Sequence, residues 1–245
     1  MMREGEKKMK ALERFLVVLV LAAVFSGCTD DRQSFFVRDI KIPSDEDCIV
    51  QSDRNTPYRP YGRMDLAFGG SFFIHPLVEN AMTSSEKLNP VTAESNRITI
   101  TGAEVSLEFE DGTPITAEPF FVATSAIVEP GGVVATSFEG IPSGYLGLAD
   151  AWQVVYIRFR ILGITGGGKE VDTPRFTFPV LTCDGCLIYF PPEAYDSERG
   201  CYDCCDIGGG GDMTVPCNYG QDDWVDCRLC AEALDTQCVD PDCPC

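Results

Sequence analysis

The chain has 245 residues, 38 acidic against 19 basic side chains, a formal charge of −19, one histidine and thirteen cysteines. So acidic a surface repels nucleic acid and anionic headgroups, and nucleic acid is not expected as a partner. A single histidine nearly excludes mixed Cys/His metal sites, and any Ser–His or Cys–His enzyme would have to use His75.

The N-terminal stretch carries Lys7, Lys8, Lys10 and Arg14 ahead of an apolar run from Phe15 to Phe25. A membrane-spanning helix needs roughly 20 apolar residues, so this run fits the core of a secretory signal better than a span. The sequence Phe25-Ser26-Gly27-Cys28 follows. It resembles the lipobox of bacterial lipoproteins, although Phe25 stands where that family usually has Leu. The resemblance implies cleavage after residue 27, a lipid on Cys28, and attachment to the membrane through that lipid while the polypeptide stays in water. It also implies that Thr29, in place of Asp, directs the protein to the outer membrane in preference to the inner one. Residues 28–46 are expected to form a polar tether.

Residues 47–182 read as strands. In "EVSLEFED" Val105, Leu107 and Phe109 alternate with polar residues, and in "VVYIRFRIL" Val155, Ile157, Phe159 and Ile161 do the same. Phe176, Phe178 and Val180 share a face of a third segment. This period of two marks strands buried on one side. Further strands are expected at 48–51, 64–74, 97–101, 120–128 and 133–138. The phase change near Gly102 predicts a bulge or bend. "EPGG" at 129–132 suits a type II turn with Gly131 third, and "TGGGK" at 165–169 suits a hairpin loop. About seven or eight strands without a convincing helix indicate a mainly β fold, an antiparallel two-sheet sandwich. The hairpin 155–180 resembles the last two strands of fibronectin type III and immunoglobulin-like domains.

Candidate chemistry in this part is thin. "GITGGGKE" at 163–170 lacks the Ser or Thr that a phosphate-binding loop needs after its lysine, and Glu170 would repel phosphate. No calcium loop is present, and no nucleophile elbow accompanies His75. Trp152, or Tyr58 with Tyr61, can supply a sugar-stacking platform, but core packing or loop anchoring is the ordinary role of such rings. Paired carboxylates would serve glycoside hydrolysis, but an acidic chain leaves the choice of pair arbitrary.

Eleven of the thirteen cysteines fall in 183–245, in a stretch also rich in Gly, Asp and Pro. They are Cys183, Cys186, Cys201, Cys204, Cys205, Cys217, Cys227, Cys230, Cys238, Cys243 and Cys245. The Cys-x-x-Cys pairs offer thiolates for zinc or a redox centre. An exported chain, however, matures where disulfides persist, and "CDGCLIYFPP" leads into an extended run, not a helix. Disulfides are therefore expected, with no metal or cofactor. With Cys28 lipidated, an odd number of tail cysteines requires Cys48 to pair with one of them if all are oxidised. Cys183 or Cys186 are its natural partners, being next to the last strand. A short helix is expected within 225–234.

Together these features resemble bacterial lipoproteins that join an immunoglobulin-like β-sandwich to a cysteine-rich C-terminal region. The implied role is a non-enzymatic binding or structural protein of the cell envelope, with an envelope protein or polysaccharide as partner. The alternative is a carbohydrate-binding or hydrolytic module on the same sandwich.

Overall fold

The computed structural model describes residues 34–44, 47–85, 94–198, 200–202 and 215–229. Sixteen strands appear among them. In chain order they are β1 (Phe35–Ile40), β2 (Gly62–Asp65), β3 (Phe72–Ile74), β4 (Pro76–Asn80), β5 (Ile98–Phe109), β6 (Phe120–Val122), β7 (Ala126–Val128) and β8 (Val133–Ala135). There follow β9 (Phe138–Ile141), β10 (Val154–Thr165), β11 (Glu170–Asp172), β12 (Phe176–Cys183), β13 (Ile188–Tyr189), β14 (Tyr195–Asp196), β15 (Cys201–Tyr202) and β16 (Val225–Asp226). The protein is mainly β. Among the described residues no helix is long and apolar enough to cross a membrane.

The largest sheet has the order β2-β12-β10-β5-β6, with β11 also on β10 and β7 also on β5. Its pairs are antiparallel except β12 with β2. The alternation read from sequence sets which side is buried: Val155, Ile157, Phe159 and Ile161 of β10 are all 1% exposed or less. A second sheet has the order β1-β4-β8, and β3 pairs with β9. Only His75 separates β3 from β4, and only Thr136 and Ser137 separate β8 from β9, so the two pairings run on as one interrupted ribbon. Side chains from these sheets meet in one core. Phe138 of β9 meets Phe159 of β10 edge-on at 5.3 Å between ring centres, and Phe72 of β3 meets Phe178 of β12 at 6.3 Å.

Two sequence expectations about local geometry hold. The register of β10 against β5 shifts between Leu162 and Gly163, opposite Gly102 and Ile100, so Thr101 is the extra residue of a bulge. A β-carbon on Gly102 would sit against the Phe121 ring and 2.7 Å from the Val122 carbonyl oxygen, a backbone atom that cannot easily give way, which favours glycine there. In the 129–132 turn Gly131 has φ +73° and the Gly132 amide donates to the Glu129 carbonyl at 2.9 Å, as a type II turn requires.

Other expectations are corrected. Residues 35–40 are not tether but strand β1, because Phe35, Val37 and Ile40 present apolar side chains to the core and β4 supplies the hydrogen-bonding edge. Residues 48–51 are not a strand: Cys48 has φ +58°, incompatible with an extended chain, and lies in the loop between β1 and β2. The expected strand 64–74 is broken by a 3-10 turn at Leu66–Phe68, capped by Asp65. Val225 and Asp226 form β16, and a helical turn occupies 227–229; the rest of the expected 225–234 helix lies outside the described residues.

Candidate functional site

The functional candidates from sequence fall into four places. The first is the loop at 165–169. It is a hairpin turn between β10 and β11, closed by the Thr165 amide on the Lys169 carbonyl at 2.9 Å and by the Lys169 amide on Thr165 Oγ1 at 3.0 Å. Strand β11 follows it where a phosphate loop would need a helix.

The second is His75. Its position between β3 and β4 buries the ring to 8% exposure. Nδ1 lies 2.8 Å from Ser137 Oγ, and Nε2 is buried without a hydrogen-bond partner. Burial first, and the nearby Arg59 charge second, push its pKa down to about 4. A serine and a histidine are thus in contact, a pairing the sequence did not announce. Among the described residues no carboxylate is hydrogen-bonded to the ring to orient it, and so low a pKa makes it a weak general base at neutral pH.

The third is the cysteines. Cys48 is bonded to Cys217 with their α-carbons 5.4 Å apart, and Cys183 is bonded to Cys186. Cys48 therefore does pair with a tail cysteine, but not with Cys183 or Cys186. Those two sit at the end of β12, face the Asp65 loop, and close on each other across a tight turn. Cys227 is also disulfide-bonded. Cys201 lies in β15. Cys28, Cys204, Cys205, Cys230, Cys238, Cys243 and Cys245 lie outside the described residues. Among the described residues the one group that could hold a metal ion is Asp65, Cys183 and Cys186, whose ligand atoms lie within 4.8 Å of one another. Here the two sulfurs are bonded together and offer no thiolates. The Asp65 carboxylate is itself engaged: Oδ1 accepts from the amides of Ala67 (3.1 Å) and Gly185 (2.7 Å), and Oδ2 from Leu187 (2.9 Å). It acts as a clamp on the Cys183–Cys186 loop.

The fourth is the aromatic platform. Tyr58, Tyr61 and Trp152 are 62%, 46% and 69% exposed, which corrects the expectation of core packing. Tyr61 is partnered by the Arg63 guanidinium 5.8 Å from its ring centre. Trp152 is different. It has φ +66°, a left-handed backbone that bulky residues rarely adopt. Its amide is tied to the Thr182 carbonyl at 2.7 Å, which fixes the backbone while the indole faces solvent. Antiparallel pairing of Val155 with Phe109 brings the start of β10 beside the end of β5. The result is an open groove of about 410 Å³ lined by Phe109, Glu110, Asp111, Trp152, Gln153 and Val154. Hydrogen bonds from Thr113 to its carboxylate hold Asp111 below the usual carboxylate range.

A scan against protein-family models finds no match, and a search of curated proteins likewise finds none. The sequence singled out Trp152 but missed Glu110 and Asp111. The signal was present: if the two strongest alternating segments pair, "ED" at the end of one falls beside "AWQ" at the start of the other.

Proposed function

We propose that the protein is a lipid-anchored component of the cell envelope, held on the membrane through Cys28 and facing an oxidising compartment, where its β body serves as a non-enzymatic binding or structural module. The observation that carries this reading is the Cys48–Cys217 disulfide, which links residues 169 positions apart. Such bonds persist in exported proteins and are rare in reducing cytosol. The lipobox-like Phe25-Ser26-Gly27-Cys28 supplies the anchor, and Thr29 favours the outer membrane.

We propose further that the β body is an immunoglobulin-like sandwich. In an immunoglobulin-like sandwich the first, second and fifth strands share one sheet, and the third, sixth and seventh share the other. The order β1-β4-β8 on one side and β12-β10-β5 on the other supports that assignment, with β6 and β7 as the extra strand of variable-type domains.

The test is fractionation. Cys28→Ser should move the protein from the membrane pellet to the soluble fraction and abolish the mass increment of the lipid. A variant that still pellets, with its N-terminal stretch uncut, would refute the anchor. A carbohydrate-binding or hydrolytic alternative draws on the Trp152 groove, whose ring and two carboxylates are what a glycan site would need.

A further inference from the structure

The outer face of the main sheet matches its own charges. Glu104 receives Arg160 through Nε at 3.0 Å and Nη2 at 2.9 Å, Arg160 also reaches Asp172 at 2.8 Å, and Glu108 is paired with Arg158. The groove along Thr101, Arg160, Leu162, Ile164, Glu170 and Asp172 therefore holds its one cation, Arg160, already paired within the protein, and only Glu170 of its lining charges forms no ion pair among the described residues. Farther along β5 the matching stops. Glu110 and Asp111 form no ion pair among the described residues, and no Lys or Arg lines their groove.

Beside them stands an indole whose face is open to water. Trp is the strongest of the aromatic rings for a cation held over its face, because its quadrupole puts negative charge there. The Gln153 side chain is engaged by Asp150: Oε1 accepts from the Asp150 amide at 3.0 Å and Nε2 donates to Asp150 Oδ2 at 3.4 Å. Asp111 Oδ1 already accepts from the Thr113 amide at 2.8 Å, so what the pair presents is the Glu110 carboxylate and the remaining acceptor capacity of Asp111, and the net field of a chain carrying −19 draws cations toward them. An ammonium group has three donors and no acceptor, and so complements such a set. A buried, enclosed pocket would suit a small molecule, whereas an open groove admits one side chain of a larger partner.

We infer that the groove of Trp152, Glu110 and Asp111 binds a lysine side chain on a basic segment of a partner polypeptide. This inference rests on the reading of the β body as a binding module and names the chemistry of its partner. The indole covers the ammonium and its methylenes, and the two carboxylates accept its hydrogen bonds.

The test uses the full chain in detergent micelles, titrated calorimetrically with an end-blocked peptide alternating glycine and lysine. A glycine–glutamate peptide and a neutral glucose hexasaccharide serve as comparison probes. Saturable binding of the lysine peptide is expected. Trp152→Ala should weaken it about 5-fold, in line with a cation–π contact that is partly desolvated. Glu110→Gln combined with Asp111→Asn should weaken it by a similar factor and flatten its salt dependence. Glu118→Gln, which removes one exposed charge from outside the groove, should leave it within 2-fold. Trp152→Gly removes the ring but suits the φ +66° backbone, so its binding loss cannot be ascribed to misfolding. No binding of the lysine peptide, or equal binding by native and Trp152→Ala protein, overturns the proposal. So does salt-insensitive binding of the hexasaccharide that Trp152→Ala abolishes, which would make the groove a glycan site. Failure of the anchor is read separately, from the fractionation of Cys28→Ser.

Discussion

Strand β10 places Val155, Ile157, Phe159 and Ile161 in the core by alternation alone, whereas the residues after Cys183 reach the body by discrete ties. Gln221 shows the contrast best. Its side chain pairs with the edge of β3 as a neighbouring strand would, accepting from the Phe73 amide at 2.8 Å and donating to the Phe73 carbonyl at 2.5 Å. Asp222 accepts from the Arg63 amide at 2.6 Å and from the Arg59 side chain at 2.8 Å. Asp65 clamps the loop before β13, and the Val225 amide donates to the Leu187 carbonyl at 2.8 Å. Among the described residues the apolar contribution here is two small clusters, Phe68 against Val225 with Ile188 and Leu229 beside them, and Cys227 with Ile188, Phe190 and Tyr202. A core spread over many strands tolerates the loss of a surface contact, but a region held by a few ties depends on each.

The largest effect should come from the body. Phe159→Ala removes a fully buried ring between Phe138 and Phe176 and should cost about 4 kcal/mol, seen as a lower denaturation midpoint for the whole β signal. A transition confined to the C-terminal region would contradict the contrast.

Asp65→Ala leaves the amides of Ala67, Gly185 and Leu187 without their acceptor. It should cost about 3 kcal/mol, given the loss of charge-assisted bonds in a buried place. Hydrogen exchange should accelerate first around 183–189 and 225–229, before the strands β5 and β10. Uniform acceleration would mean that the clamp belongs to the core.

The His75 pKa gives a pH signature of the body. Burial lowers it from 6.5 to about 4, so between these values the unfolded chain binds a proton that the folded chain refuses. Stability should fall as pH drops from about 6.5 toward 4, by about 3 kcal/mol at the end of that window. His75→Gln should flatten this slope in denaturant titrations at graded pH, and an unchanged slope would assign it elsewhere.

Breaking Cys48–Cys217 is expected to loosen without unfolding. Cys48→Ser should cost about 2 kcal/mol, the low end for a native bridge, because the body keeps its own core. Limited proteolysis should cut near 215–224 while the β spectrum persists, and Cys217 should become alkylatable. Loss of the β spectrum would show that the two regions fold as one.

The smallest effect belongs to the hairpin turn. Lys169→Ala should change stability by less than about 0.5 kcal/mol, since the residue is an exposed loop charge and its backbone bonds remain. A larger loss in thermal denaturation would give this lysine a role the turn does not supply.

Much of the body was written in local pattern. A strand with one wet face must alternate, so β5, β10 and β12 could be read from "EVSLEFED", "VVYIRFRIL" and "RFTFPV", and even the Gly102 bulge showed as a lost phase. Turn chemistry was equally local, since Gly131 supplies the positive φ its turn demands. Where pattern is short, the reading failed. Phe35, Val37 and Ile40 span too few residues to announce a strand, and only the waiting edge of β4 makes them one. Cysteine parity required Cys48 to find a tail partner, but parity carries no distances, and the fold alone selected Cys217. The Trp152 groove was legible only on the condition that the two strongest alternating segments pair. Its residues lie more than forty positions apart in sequence, and only antiparallel pairing of β5 with β10 sets two unmatched carboxylates beside an open indole.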